Sequence, residues 1–127
     1  MNPTRLLLVY NADSGLFNAA AGWAHKLISP ETYECSLCKI TYGHTGMLQA
    51  WKTFLSSQPF PAVFLYRDTF QERYPDLAEH PLPLILMDDG HRLEILLEAA
   101  DIKLANGLAT LITQVEAAVA DWRSRRS

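Results

Sequence analysis

The chain has 127 residues, of which 49% are hydrophobic and 20% are charged, a composition that excludes extended disorder and is sufficient for one hydrophobic core. The net charge of −3 gives no electrostatic basis for binding nucleic acid or an anionic membrane. We therefore expect residues 1–127 to form a single domain. The first residues lack the apolar stretch and cleavage site of a signal peptide, so we expect a cytoplasmic location, where thiols stay mostly reduced.

The first third of the chain predicts a strand, a helix and a second strand. The unbroken apolar run at residues 6–10 is typical of a strand that is buried on both faces of a sheet. Asp13 or Ser14 can cap the next element, whose apolar residues recur at helical spacing until Pro30. Residues 33–42 are rich in β-forming residues, so we expect a second strand across the later part of that segment.

The middle of the chain predicts a helix, a strand and a second, shorter helix. Thr45 begins an apolar stripe at helical spacing, and Pro59 ends it. Ala62–Tyr66 predicts a third strand. Thr69 with Glu72 has the spacing of a capping box, which predicts the start of a short helix.

The last third predicts two hairpin strands and a long helix. Residues 84–87 are apolar, and Asp89 with Gly90 predicts a two-residue hairpin turn because glycine tolerates a positive φ. The returning strand, residues 92–97, is expected at an edge of the sheet, with three apolar residues on one side: Leu93, Ile95 and Leu97. A one-sided stripe from Leu104 to Trp122 predicts the last helix. The order β-α-β-α-β-α-β-β-α predicts an α/β fold around one mixed sheet.

This closing unit resembles that of the thioredoxin-like superfamily, including a proline, Pro83, directly before the penultimate strand. In that family the proline is cis and lies beside the active-site loop, so the resemblance implies a cis Leu82-Pro83 bond. It also implies a three-layer α/β/α sandwich with a mixed sheet of about five strands. The family's Cys-x-x-Cys pair starts the helix after the first strand, where this chain has Ser14, Gly15, Leu16 and Phe17. Because a serine hydroxyl gains no ionisation comparable to that of a thiol, the usual exchange chemistry is excluded at that position.

The resemblance leaves a groove between the first strand, the first helix and the proline. Its residues are Asn11, Asp13, Ser14, Leu82 and Pro83. Our first hypothesis is therefore a non-catalytic thioredoxin-like domain that binds a protein or a small molecule in this groove, without a cofactor. Such a domain would be a monomer, or a homodimer through its edge strand.

A second Cys-x-x-Cys motif, Cys35 to Cys38, contains both cysteines of the chain. If these residues are extended, the two Cα atoms lie about 10 Å apart, beyond the limit of roughly 7 Å for a disulfide; a turn would allow the bond. We expect Cys38 to be buried on a strand face with Ile40 and Tyr42, and the pair to lie away from the proline groove.

Two alternatives to a structural role remain for these cysteines. One is a thiol oxidoreductase or redox sensor that uses Cys35 and Cys38. The other is a metal-binding protein, in which His44 would add a ligand. The sequence contains no phosphate-binding glycine loop, no zinc-protease helix motif and no serine-hydrolase motif.

Overall fold

The computed structural model describes residues 4–11, 36–43 and 46–126. The strands are β1 (Arg5–Tyr10), β2 (Tyr42–Gly43), β3 (Gly46–Met47), β4 (Ala62–Tyr66), β5 (Leu84–Asp88) and β6 (Leu93–Leu97). The helices are α1 (Ser36–Thr41), α2 (Gln49–Ser56), α3 (Arg67–Arg73), α4 (Ala99–Lys103) and α5 (Leu108–Arg126), with a 3₁₀ turn at Pro75–Leu77. The predicted mixed α/β class is confirmed.

The main sheet has the strand order β4-β1-β5-β6. Strand β1 is parallel to β4 and antiparallel to β5, and β5 is antiparallel to β6. The side chains from Leu6 to Tyr10 are fully buried, which confirms the prediction of a central strand. Among the described residues β6 lies at one edge of this sheet, as predicted.

Helices cover both faces of the sheet because successive side chains of a strand point to opposite faces. Leu6, Leu8 and Tyr10 belong to a core cluster that includes buried residues of α1, α2, α4 and α5. Leu7 and Val9 belong to a second cluster, on the face that Phe70 of α3 covers. No helix of the described residues is long and apolar enough to cross a membrane.

The predicted second strand is wrong, since residues 36–41 form helix α1. Leu37, Cys38 and Thr41 are its buried residues, and their spacing fits one face of a helix. The Thr41 hydroxyl donates to the carbonyl oxygen of Leu37, 2.7 Å away, which satisfies a polar group inside the core. Burial against neighbouring helices therefore overrides the β propensity of this segment. The only strand residues here, Tyr42–Gly43, pair with β3 outside the main sheet, so the described part of that sheet has four strands and not about five.

Three helix starts also differ from prediction. Helix α2 begins at Gln49, after the β2–β3 hairpin, and Thr45 lies outside the described residues. Helix α3 begins at Arg67 without a side-chain cap, so Thr69 does not start it. The long stripe is interrupted: α4 ends before Leu104, which is 80% exposed, and α5 begins at Leu108.

The β5–β6 hairpin contains a bulge that the sequence pattern did not predict. Ile85 pairs with Leu97 and Leu86 with Ile95, so Leu96 is the extra residue on β6. Leu97 therefore packs in the first core cluster, whereas Ile95 packs against the second. The prediction that Leu93, Ile95 and Leu97 share one side is wrong for Leu97.

The turn of this hairpin is built by aspartate side chains. One carboxylate oxygen of Asp89 accepts hydrogen bonds from the backbone N–H of His91 at 2.8 Å and of Arg92 at 2.6 Å. Gly90 has a φ of 92°, which confirms the predicted need for glycine. The connection spans four residues, 89–92, between the last residue of β5 and the first of β6, so the prediction of a two-residue turn is wrong. The Asp89 carboxylate draws His91 and Arg92 into the turn through the two hydrogen bonds to their N–H groups.

Candidate functional site

A groove of about 390 Å³ lies beside the Leu82-Pro83 bond, which is cis. Four separate segments of the chain contribute its described lining residues: Asn11, Ser36, Pro81, Leu82, Pro83, Ala99, Ala100 and Lys103. Asn11 follows the central strand β1, Ser36 is the first residue of α1, and the proline segment leads directly into β5. The end of the central strand thus meets the start of α1, the proline segment and α4 in one place.

Three predicted groove residues, Asn11, Leu82 and Pro83, line this space together. Asp13 and Ser14 lie outside the described residues. Sequence reasoning missed Ser36 and Lys103. Ser36 stands inside the Cys-x-x-Cys motif, which was assigned to a strand, and Lys103 belongs to the unpredicted helix α4.

Cys38 is fully buried in α1 and is disulfide-bonded. The chain contains one other cysteine, Cys35, which lies outside the described residues. Ser36 stands between the two cysteines and lines the groove with Leu82 and Pro83. The expectation that the pair lies away from the proline groove stays a prediction for Cys35, although its neighbour Ser36 lines that groove. The expectation that Cys38 is a core residue is confirmed, although it lies on a helix and not on a strand.

The helix that contains Cys38 is fixed to the end of β1 by a buried hydrogen-bonded chain. The hydroxyls of Tyr10 and Thr41 are 3.3 Å apart. Because the Thr41 hydroxyl donates to the carbonyl of Leu37, the Tyr10 hydroxyl is the donor in this pair. Burial raises the pKa of Tyr10 to about 12, so its phenol is neutral and retains this proton at physiological pH.

The opposite wall of the groove is held by α4 and the loop before Pro81. Helix α1 packs against α4, where Ile102 is fully buried. The side chains of Glu98 and Asp101 form a capping box at the start of α4. His80 and Glu98 are joined by a hydrogen bond of 3.0 Å between ring nitrogen and carboxylate. The loop that carries Leu82 and the helix that carries Lys103 are therefore tied together.

The metal hypothesis is not tested in full, because Cys35 and His44 lie outside the described residues. The described residues contain no group of three or more histidine, cysteine, aspartate or glutamate side chains arranged to hold a metal ion. While Cys38 is in a disulfide it offers no thiolate, which is the form that binds a metal.

Cys38 belongs to a disulfide, and Ser36, two residues before it, lines the groove. Thiol–disulfide exchange requires that a thiolate approach one sulfur of a disulfide, so access to the bond decides which disulfides react. Lys103 is the charged side chain among the described residues that line the groove. Comparisons with protein-family models, with curated proteins and with solved structures find no match to this chain.

Proposed function

We propose that this protein is a thiol–disulfide oxidoreductase of thioredoxin-like architecture, with Cys35 and Cys38 as its reactive pair. One observation carries the proposal: Ser36, between the two cysteines, lines the same groove as Leu82 and Pro83, and Cys38 is disulfide-bonded. In this proposal the family's cysteine position after the first strand is replaced by a later segment, whose Ser36 lines the groove.

The order of the elements supports the thioredoxin-like part of the proposal. Helix α1 lies between β1 and β4, which are parallel neighbours in the sheet. The cis proline directly precedes β5, which lies antiparallel to β1 on its other side. Relative to the family pattern, residues 12–35 are then additional residues between the first strand and α1, the helix that carries Cys38.

The burial of Cys38 assigns different roles to the two sulfurs. A fully buried sulfur is out of reach of a large substrate, so Cys35, which precedes the groove residue Ser36, is the attacking thiolate. It attacks a substrate disulfide, forms a mixed disulfide and releases one substrate thiolate. Cys38 then attacks the Cys35 sulfur and releases the second substrate thiolate. The substrate is reduced, the protein pair is oxidised, and an external dithiol restores the reduced protein.

The test is reduction of insulin disulfides by dithiothreitol, with and without the protein. We expect the wild-type protein to accelerate the reaction. The acceleration by Cys35→Ser and by Cys38→Ser should be at least 100-fold smaller than that by the wild type. The control Ser56→Ala changes an exposed residue outside this groove and should retain the activity. Mass spectrometry of Cys38→Ser should detect a mixed disulfide with substrate, because the resolving sulfur is absent, whereas Cys35→Ser should accumulate none.

A second candidate, a non-catalytic binding domain, is favoured by the open groove at Asn11, Leu82 and Pro83. It predicts that wild-type protein and both cysteine variants leave insulin reduction at the rate of dithiothreitol alone. That result would contradict the oxidoreductase. A peptide or small molecule would then still bind in the groove, and Ala100→Trp should block it, because Ala100 is an exposed residue of the lining.

A further inference from the structure

A second cavity, of about 760 Å³, lies between the β2–β3 hairpin, α2 and the start of β4. The groove beside Leu82-Pro83, which we call the disulfide groove, shares no described lining residue with this cavity. Most of its lining is aromatic or aliphatic: Tyr42, Met47, Leu55, Pro59, Phe60, Pro61, Ala62 and Phe64. Small-molecule sites are typically apolar clefts of about 300–1,000 Å³ with a few polar groups, and this cavity has that size and composition.

The aromatic walls of the cavity are held in place by the core behind them. The Phe60 ring packs edge-on against Trp122, with centroids 6.0 Å apart and an angle of 88°. Tyr42 and Phe64 both pack against Tyr10, at 5.5 Å and 6.1 Å between centroids. Trp122 is 6% exposed and Tyr10 is fully buried. The aromatic walls therefore have fixed positions without a ligand, so binding a ligand costs little side-chain conformational entropy.

The charge of the cavity indicates the class of its ligand. Lys52, an exposed residue of α2, is the charged side chain among the described residues that line it, and none of those residues is acidic. The remaining polar groups are the hydroxyls of Ser56 and Tyr42 and the amide of Gln58. Burial raises the pKa of Tyr42, so its phenol stays neutral and adds no negative charge. A ligand with an apolar body and a negative group matches this arrangement.

We propose that this cavity is a binding site for a small aromatic anion, such as an aryl carboxylate or sulfonate. The ring lies against Phe60 and Phe64, where offset or edge-to-face contacts add to the burial of apolar area. The negative group lies at Lys52. The site is independent of the cysteines, so a result against this proposal would not contradict the proposed oxidoreductase activity, and the reverse also holds.

The first test uses 8-anilinonaphthalene-1-sulfonate, an aromatic anion, and the neutral N-phenyl-1-naphthylamine as a matched probe. Calorimetry should give one site per chain for the anion. Lys52→Gln should lower the affinity for the anion about threefold to tenfold and leave the affinity for the neutral probe unchanged. Lys103→Gln, which removes the lysine of the disulfide groove, is the control and should change neither affinity. Equal affinities of wild-type protein and Lys52→Gln for the anion would overturn the assignment of Lys52.

The second test locates the bound probe. Ser56 is exposed and lines the cavity, so Ser56→Trp should fill the space and abolish binding of both probes without removing a core contact. An unchanged thermal unfolding temperature should show that this variant is folded. Amide chemical shifts on addition of the anion should change around Phe60 and Phe64. If Ser56→Trp binds the anion like wild type while Ala100→Trp does not, the probe occupies the disulfide groove and the proposal is wrong.

Discussion

The disulfide groove and the aromatic cavity between Tyr42 and Phe64 are built in opposite ways. The disulfide groove gathers Asn11, Ser36, the proline segment and α4, which are far apart in the sequence. The described lining of the aromatic cavity comes from one stretch of chain, between Tyr42 and Phe64. The groove is smaller, about 390 Å³ against about 760 Å³, and adjoins the Cys-x-x-Cys motif.

This contrast shows which parts of the molecule each cavity depends on. The groove exists only because β1, α1, α4 and the segment before β5 dock together, so its shape depends on tertiary contacts. The aromatic cavity has a local lining, but its rings are supported by core residues from distant elements, Tyr10 of β1 and Trp122 of α5. Substitutions in the core, in the groove and outside both cavities should therefore change different quantities: stability with ligand affinity, insulin reduction, and stability alone.

The largest expected effect comes from removing the support of Phe60. Trp122→Ala should lower the free energy of unfolding by about 3–5 kcal/mol, because a nearly buried indole leaves a cavity. Chemical denaturation measures the loss, and Trp122→Phe, which keeps a ring at the position, should lose less. Affinity for the aromatic anion should fall in the folded protein. A loss of under about 1 kcal/mol from Trp122→Ala would mean that α5 does not support the cavity.

A smaller effect is expected from filling the disulfide groove. Ala100→Trp should lower the rate of insulin reduction at least tenfold, which corresponds to about 1.4 kcal/mol, since the indole takes the space of the substrate. Binding of the aromatic anion should not change. Ala109→Trp, at an exposed position of α5, is the control for adding the same side chain. Equal insulin reduction by the two variants would show that the groove is not where substrate binds.

An ion pair at the far end of β5 should affect stability and neither cavity. Asp88 accepts a hydrogen bond from Arg5 at 2.7 Å and another from the backbone N–H of Gly90 at 2.9 Å. Partial burial opposes ionisation, but these hydrogen bonds and the charge of Arg5 lower the pKa of Asp88 below its usual value. Asp88→Asn should therefore cost about 1 kcal/mol at pH 7.

The pH dependence of that difference has a defined sign. A carboxylate with a lowered folded-state pKa stabilises the protein above its unfolded pKa of about 3.9, and the contribution is lost as the pH falls through the folded value. Unfolding curves of wild type and Asp88→Asn should therefore converge below about pH 4. A gap that stays constant from pH 7 to pH 3 would contradict the role of the Asp88 charge.

The smallest effect is expected at Leu104, which is 80% exposed between α4 and α5. Leu104→Ser should change the free energy of unfolding by no more than about 0.5 kcal/mol. Leu111→Ala is the contrasting variant, because Leu111 is fully buried and should lose about 2–5 kcal/mol. Similar losses at the two positions would show that Leu104 packs as part of the stripe, as the sequence pattern predicts.

Several features could be predicted from the sequence because local chemistry determines them. The apolar run in β1 predicts a strand buried on both faces, and the described structure has it at the centre of the sheet. The turn after β5 follows from Asp89 and Gly90, whose conformational preferences act within four residues. The apolar stripes that the sequence predicts for α2 and α5 contain Trp51 and Trp122, and both side chains are buried.

The predictions from sequence are wrong where tertiary packing overrides the secondary-structure preference of a segment. The Cys38 segment has β-forming residues, yet it is helical because Leu37, Cys38 and Thr41 bury one helical face against the rest of the core. The bulge at Leu96 shifts the alternation of β6, and nothing in the residue pattern distinguishes a bulged strand from a regular one. Three of the eight described lining residues of the groove were predicted: Asn11, Leu82 and Pro83. The proline segment has a local signature, whereas the position of Ser36 depends on how α1 docks.

The sequence by itself determined the α/β class, the central strand, the position of the proline before β5 and the identity of the only two cysteines, since these depend on local periodicity and composition. Only the tertiary structure decided that the Cys38 segment is a helix and that Ser36 lies at the proline groove. It also decided that Phe60 and Phe64 face a supported cavity. The physical reason is that distant segments come into contact when they bury apolar surface against each other. A local residue pattern does not specify which segments will pack together in this way.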